Sequence, residues 1–430
     1  MNYQESIAWL ESLGQFGIRL GMERIKQLLF VLGHPENQIR TIHVAGTNGK
    51  GSVTTMISTI LLEAGCRVGT FTSPHLVRYN ERIRINEQDI TDEEFARVLT
   101  TVREFSDDLV KKGACEQPTQ FEILTAAAFH YFALQQVDYA VIEVGLGGLW
   151  DSTNLIKPLV SVITNIALDH TKVLGNTIEE ISLQKAGIIK EQVPVVTGAE
   201  GDALGPIRVM SAVKQAPLYE YGVSFRGQEI SSSIDGQKFR LMAGTNYASE
   251  YDIQLPGEHQ IRNAALAIVA AKIVSKQDPR ITEEHLHIGA AHTKWPGRLE
   301  KIGTAPDVIL DGAHNPNGAE ALRNALDKYY PEQKRAFVFG MMGDKSMDEV
   351  IKILFRSSDT VFTVRADDGP RAAEAADLAE RVGSHALPVD SVDRAYRLAC
   401  EAAGKEGVVC VCGSLYLVGT FKATVNVTAG

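Results

Sequence analysis

The sequence predicts an α/β fold: a mainly parallel sheet domain carrying a small antiparallel meander, followed by a second, smaller α/β domain. Three observations lead there. Short, nearly continuous Val/Ile-rich runs suit strands buried on both faces. Longer amphipathic stretches alternate with them, as helices covering a parallel sheet would. The alternation breaks once, across an alternating polar/apolar stretch and a Trp-Pro-Gly segment, and then restarts.

The elements follow in order. RTIHVA, from Arg40, reads as a strand, and SVTTMISTILLEAG, from Ser52, as a helix ended by Gly65. Further strands are expected at RVGTFT, VDYAVIEV, LVSVITNI and VPVVTG, with helical stretches between several of them. From Tyr219 to Leu255 polar and apolar residues alternate, with turn signals at Arg226–Gly227 and Asp235–Gly236, which predicts the meander. A helix carrying RNAALAIVAAKIV comes next. In KWPGRLEKIG, Pro296 and Gly297 interrupt the period, so residues 296–299 are the expected linker between a domain at 1–295 and one at 300–430. The second domain reads as strand DVILDGAH, helix ALRNALDKYY, strands RAFVFG and DTVFTVRA, helix AAEAADLAERV and strand GVVCVCG, a Rossmann-like order. Two such sheets meeting at a linker imply a cleft at the carboxyl ends of their strands.

Composition limits the partners. Forty-three basic against fifty-three acidic residues give a net charge of −10, with no Lys/Arg stripe to offset it. Nucleic acid and anionic membrane are therefore not expected as partners. No run is long and apolar enough to span a bilayer, and MNYQESIAWLESLG is unlike a secretory signal, so a cytoplasmic protein is expected. The five scattered cysteines fit reduced thiols. Cys410 and Cys412 share a strand face, where buried thiols are the simpler reading than half of a metal site.

Chemistry-bearing residues gather first in HVAGTNGKGS, His43 to Ser52, between a strand and a helix. Glycines let backbone N–H groups converge on phosphate oxygens, and the helix N-terminus adds partial positive charge. Lys50 can neutralise phosphates and the Ser52 hydroxyl can approach a bound Mg²⁺. The segment departs from GxxxxGK[ST]: Val44 occupies the first glycine position and Gly51 separates Lys50 from Ser52. A glycine-rich turn with a solvated lysine is the plain alternative.

Ser73, Glu143 and His170 each lie at or just beyond a strand end, so they can meet above Lys50 as a hydroxyl, carboxylate and imidazole shell for Mg²⁺. Singly they also read as a turn serine, a capping glutamate and a loop histidine. Lys185, in QKAGIIK, is either a solvated helix lysine or, if desolvated, a nucleophilic amine able to capture CO₂ as a carbamate. Arg298 in the linker can reach phosphates from across the cleft, and Asp311 can accept from ribose hydroxyls. Asn263, early in a helix, can read an adenine edge or merely cap, and His314 is a site residue or a hydrogen-bonded loop histidine.

Taken together, HVAGTNGKGS, TFTSPHLVRYNERIRIN, PTQFEILTAAAF, EVGLGG, DSTN, ALDHTKVLGNTIEEI, QKAGIIK, HQIRNAALA, WPGRLE, DGAHNPNG and GSLYLVG closely resemble the folylpolyglutamate synthase/dihydrofolate synthase family of the Mur ligase superfamily. They run in order from about residue 40 to 420. The resemblance implies a P-loop for ATP at Thr47, Asn48, Gly49, Lys50, Gly51 and Ser52, with further nucleotide contacts at Asn263, Arg298 and Asp311. It implies Mg²⁺ ligands Ser73, Glu143 and His170, a carbamylated Lys185 serving a second Mg²⁺, and room for a monovalent cation. Folate would lie beside the loop from Ser73 to Arg82, and L-glutamate near His314, Ser414 and Arg371. An ADP-forming ligase using an acyl phosphate intermediate is the implied protein, and a monomer is expected.

One departure stands out: many relatives have a basic residue after EVGLGG, where this chain has Leu149-Trp150. That bears on substrate range, including whether dihydropteroate is also accepted. A regulatory ATPase, a non-catalytic binding protein and a ligase of peptidoglycan precursors are the rival readings; TSPHLVRYNERI and DSTN match the folate branch better than the last.

Overall fold

The computed structural model describes residues 1–17, 19, 21–343 and 346–425; the last five positions expected in the second domain, 426–430, lie outside the described residues. Its first sheet is built from β1 (Thr41–Ala45), β2 (Val68–Phe71), β3 (Ile83–Ile85), β4 (Gln88–Asp89), β5 (Tyr139–Glu143), β6 (Val160–Ile163), β7 (Val195–Thr197) and β8 (Leu218–Glu220). They lie in the order β4-β3-β2-β5-β1-β6-β7-β8, parallel except for the β2-β3-β4 edge. Successive side chains of a strand point to opposite faces, and β5 divides accordingly. Tyr139 and Val141 enter one core with the helices Lys50–Glu63 and Glu258–Ser275. Ala140 and Ile142 enter another with Asp92–Lys111 and Gln120–Leu134.

The meander starts later than the alternation suggests. Tyr219 belongs to β8, which pairs in parallel with β7. The antiparallel sheet comprises β9 (Phe225–Ser233), β10 (Gly236–Ala243) and β11 (Tyr247–Ile253). Arg226–Gly227, expected as a turn, lies inside β9. A Cβ on Gly227 would fall 2.6 Å from Ile261 Cγ2, so this glycine serves close approach to the helix Glu258–Ser275 rather than a reversal. The helix expected from Ser52 begins at Lys50, because Gly49, at φ +82°, turns the chain into it without a side-chain cap.

The second sheet runs β12-β13-β17-β14-β15-β16, from β12 (Glu300–Gly303), β13 (Asp307–Asp311), β14 (Arg335–Phe339), β15 (Thr360–Thr363), β16 (Ala386–Pro388) and β17 (Val408–Cys412). Only β12 pairs antiparallel. Cys410 and Cys412 are buried thiols on one face of β17. The edge strands β12 and β16 and the helices Met347–Leu354 and Val392–Ala403 were not anticipated.

One helix of this second lobe, Pro316–Tyr329, touches the first lobe at both ends. At its start, Asn317 Oδ1 accepts from the side-chain amides of Asn48 and Asn165, each at 2.9 Å. At its end, the Tyr329 hydroxyl accepts from Gly257 N at 3.0 Å and lies 2.6 Å from Ser232 Oγ, while Lys328 pairs with Glu229 at 2.7 Å.

Candidate active site

A 740 Å³ cavity opens at the carboxyl ends of β1, β2 and β5 and is closed on its far side by the second lobe. The segment Gly46–Gly49 forms its floor. A Cβ on Gly46 would sit 1.8 Å from Thr164 Oγ1, and that hydroxyl donates to Asn48 O at 2.6 Å, so only glycine lets the loop settle on the neck after β6. Asn165 continues the attachment, accepting from Asn48 N at 2.7 Å through Oδ1 and from Thr47 N at 2.8 Å through its carbonyl. Lys50 Nζ donates to Thr47 O at 3.1 Å, and a Cβ on Gly51 would meet the Trp295 indole at 2.5 Å. Ser52 is buried at the first helical turn.

Glu143 ends β5 in the same cavity and accepts one backbone bond, from Ser73 N at 3.2 Å. Burial raises its pKa to about 7, against the pull of Lys50, Arg298 and Arg82. The sunken carboxylate takes little direct neutralisation and shares the cavity with the Ser73 hydroxyl and with His170, oxygen and nitrogen donors of a kind that Mg²⁺ accepts. His170 holds a left-handed backbone, φ 50°, next to Asp169, whose Oδ1 accepts from His170 N at 2.8 Å.

Lys185 is 3% exposed, and its Nζ donates to Gly46 O at 2.8 Å. Burial first, then the positive charge of Lys50, lower its pKa to about 7; Asp169 and Asp151 act in the opposite sense. Such a group is partly a free amine at neutral pH, the form that reacts with CO₂.

The segment joining the lobes contributes Arg298 to the lining, and the second lobe His314, Arg371 and Ser414. Gly312 makes way for Arg298: a Cβ there would be 2.5 Å from Nη1. His314 Nδ1–H donates to Gly312 O at 2.8 Å. Ser414 Oγ caps the helix Leu415–Thr424, accepting from Tyr416 N at 3.1 Å, and the Arg371 guanidinium stands 6.0 Å from the Tyr416 ring centre.

Two expected nucleotide contacts, Asn263 and Asp311, sit at the back of the loop and the linker. Asn263 and Asp311 are not among the residues lining the cavity. Asn263 lies behind the loop, its Oδ1 filling the space a Gly49 Cβ would take, and donates to Gln260 Oε1 at 2.9 Å. Both Asp311 oxygens are engaged by backbone N–H groups, Leu299 at 2.9 Å and Ala313 at 2.8 Å. They brace the loop and the linker from behind.

Sequence reasoning did not assign roles to Arg82, Asp169, Asn165 or Trp295. Arg82 Nε donates to His75 Nδ1 at 2.9 Å, and burial plus the Arg82 charge hold that imidazole neutral with a pKa near 3. Among the described residues no carboxylate hydrogen-bonds this guanidinium, which faces the cavity near Glu143 and Tyr416. The crowding of charge in VRYNERIRIN was the available signal. Trp150 lines the cavity mouth and is 47% exposed, while Leu149 is pinned to the helix Ile178–Ala186 through its N–H to Gln184 O at 2.7 Å.

Residues 44–271 match the Mur ligase middle domain and residues 297–415 the Mur ligase glutamate ligase domain. The chain is 39% identical to the dihydrofolate synthase/folylpolyglutamate synthase of Bacillus subtilis over 98% of both chains. It is 37% identical to the folylpolyglutamate synthase of Lacticaseibacillus casei over 99% of both. Among solved structures, the folylpolyglutamate synthase of Mycobacterium tuberculosis complexed with ADP superposes with a TM-score of 0.89 at 30% identity, covering 98% of each chain.

Proposed function

The chain belongs to the Mur ligase superfamily, in its folylpolyglutamate synthase/dihydrofolate synthase branch, and on that premise we propose how its residues divide the work of the reaction. It is an ATP-dependent ligase that adds L-glutamate to the γ-carboxylate of reduced folates. A carboxylate is a poor electrophile, so it needs activation. In this reading the folate γ-carboxylate attacks the γ-phosphorus of ATP, giving an acyl phosphate and ADP. The glutamate amine then attacks the acyl carbon, loses a proton, and inorganic phosphate leaves with the electron pair of the broken C–O bond.

Lys50, from the first lobe, and Arg298, from the segment joining the lobes, stabilise charge growing on the phosphoryl oxygens. Ser73, Glu143 and His170 would hold Mg²⁺, which neutralises phosphate charge when bound. Carbamylation of Lys185 would replace a buried amine by oxygen ligands for a second Mg²⁺. His314, Arg371 and Ser414 receive the glutamate from the second lobe, and that lobe shields the acyl phosphate from water. The lobe boundary falls at 296–299. The observation that carries this reading is that Lys50, Glu143, His170 and Lys185 face one cavity that both lobes line.

The name of the Bacillus relative joins two activities, which favours dihydropteroate as a second acceptor. The test uses folate labelled with oxygen-18 in its γ-carboxylate, turned over with ATP and glutamate. Label in the released phosphate is expected. Ligated product with unlabelled phosphate overturns the acyl phosphate order, and no ligated product with folate or dihydropteroate overturns the function.

A further inference from the structure

Behind the site runs a line of hydrogen bonds that the reaction scheme leaves unused. His43 sits in the middle of β1, fully buried, three residues before the phosphate-binding loop begins at Gly46. Its Nε2 lies 2.8 Å from Thr153 Oγ1. That hydroxyl lies 2.5 Å from Asp151 Oδ1, and Asp151 lines the cavity. The other carboxylate oxygen, Oδ2, accepts from Leu146 N at 2.8 Å, in the loop that follows Glu143.

The proton inventory gives the line a direction. Asp151 accepts backbone N–H bonds from Thr153 and Leu146, so its oxygens act as acceptors. The single Thr153 hydroxyl proton therefore goes to Asp151, and Oγ1 must accept from His43. That requires a proton on Nε2. The remaining ring nitrogen, Nδ1, is buried and has no partner among the described residues. A bare lone pair can sit there at less cost than an orphaned N–H or an imidazolium, which fixes the ring as the neutral Nε2–H tautomer.

We infer that His43 is a positioning residue: through the Thr153 hydroxyl it locks the Asp151 carboxylate against Leu146 N, so that β1 holds the loop after Glu143 in register with the phosphate-binding loop. The inference rests on the proposed site, since Glu143 is the group whose placement it secures. His43 touches no reactant. Burial keeps the ring neutral, with a pKa near 3, in keeping with that tautomer.

Two measurements test it on the full-length enzyme. In ¹⁵N-histidine-labelled protein, His43 should show a protonated Nε2 and an unprotonated Nδ1, unchanged between pH 6 and 8. A protonated Nδ1, or an imidazolium, overturns the inference. In kinetics, Thr153→Val, which keeps the side-chain shape but removes the hydroxyl, should lower kcat roughly 10–100-fold, the usual cost of losing such a supporting bond. Thr153→Ser should restore kcat to within about threefold. Equal kcat for Thr153→Val and the parent, or equal loss in both variants, overturns it. If Thr153→Val does not fold, the tautomer and the Thr153→Ser rate still decide. Because the tautomer does not depend on which substrate is used, failure of the proposed function and failure of this relay are distinguishable.

Discussion

A single buried amine decides how Lys185 behaves. If it carries a carbamate that serves the metal, Lys185→Ala should lose turnover by at least about 10²-fold, and added formate or acetate should recover part of it by replacing the missing oxygens. Full activity of the variant without additives would remove Lys185 from the mechanism. His43 carries a different kind of prediction, one about stability. Its folded pKa is near 3 against 6.5 in the unfolded chain, so below pH 6.5 the unfolded state binds the extra proton. The stabilisation is complete above pH 6.5 and shrinks as pH falls toward 3. It should cost about 2 kcal/mol at pH 5, read from urea unfolding, and His43→Gln should remove that share of the pH dependence. The reactive segments were readable in the sequence because their chemistry is contiguous: a lysine among glycines between strand and helix means much the same in any context. Arg82 was not, because what marks it is a guanidinium that no carboxylate hydrogen-bonds among the described residues, and only the folded chain shows that.

At the level of elements, runs such as TIHVA and VVCVC announced themselves because a strand covered on both faces has to be apolar throughout. The edges did not. Strands β12 and β16 are four and three residues long, partly exposed, and carry no period to detect. Tyr219 was assigned to the wrong sheet because alternation continues across the change of partner from β7 to the meander. Gly227 misled for a related reason: a glycine needed for helix contact looks in sequence like one needed for a turn. Gly49 combines both demands, with φ +82° and Asn263 Oδ1 2.5 Å from the site of a Cβ. Gly49→Ala should therefore destabilise the protein by about 1–3 kcal/mol and weaken nucleotide binding, measured by thermal melting and by ATP titration. An unchanged melting temperature would show that the loop has another conformation open to it.

Across the whole molecule, the cleft between two α/β lobes followed from the broken and resumed alternation, whereas its fastening did not. Nothing in TNIALDH or DGAHNPNG says that Asn165 and Asn317 bond to each other and to Asn48. Complementary amides on separate segments are a tertiary fact. Removing that fastening should leave ATP binding to the first lobe intact but loosen the shield over the acyl phosphate. For Asn317→Ala we expect a higher KM for glutamate and more phosphate released per peptide bond formed, from paired phosphate and product assays. Unchanged stoichiometry would mean that the amides contribute nothing to closure.

The helix Pro316–Tyr329 adds a mechanical corollary. Its fourteen residues span about 21 Å, with the asparagines at one tip and the Tyr329 hydroxyl, shared with Gly257 and Ser232, at the other. A stiff rod pinned at its far tip and let go at the near one swings instead of sliding. The gap that admits fresh nucleotide would then widen most beside Asn48, while the Tyr329 end serves as the pivot.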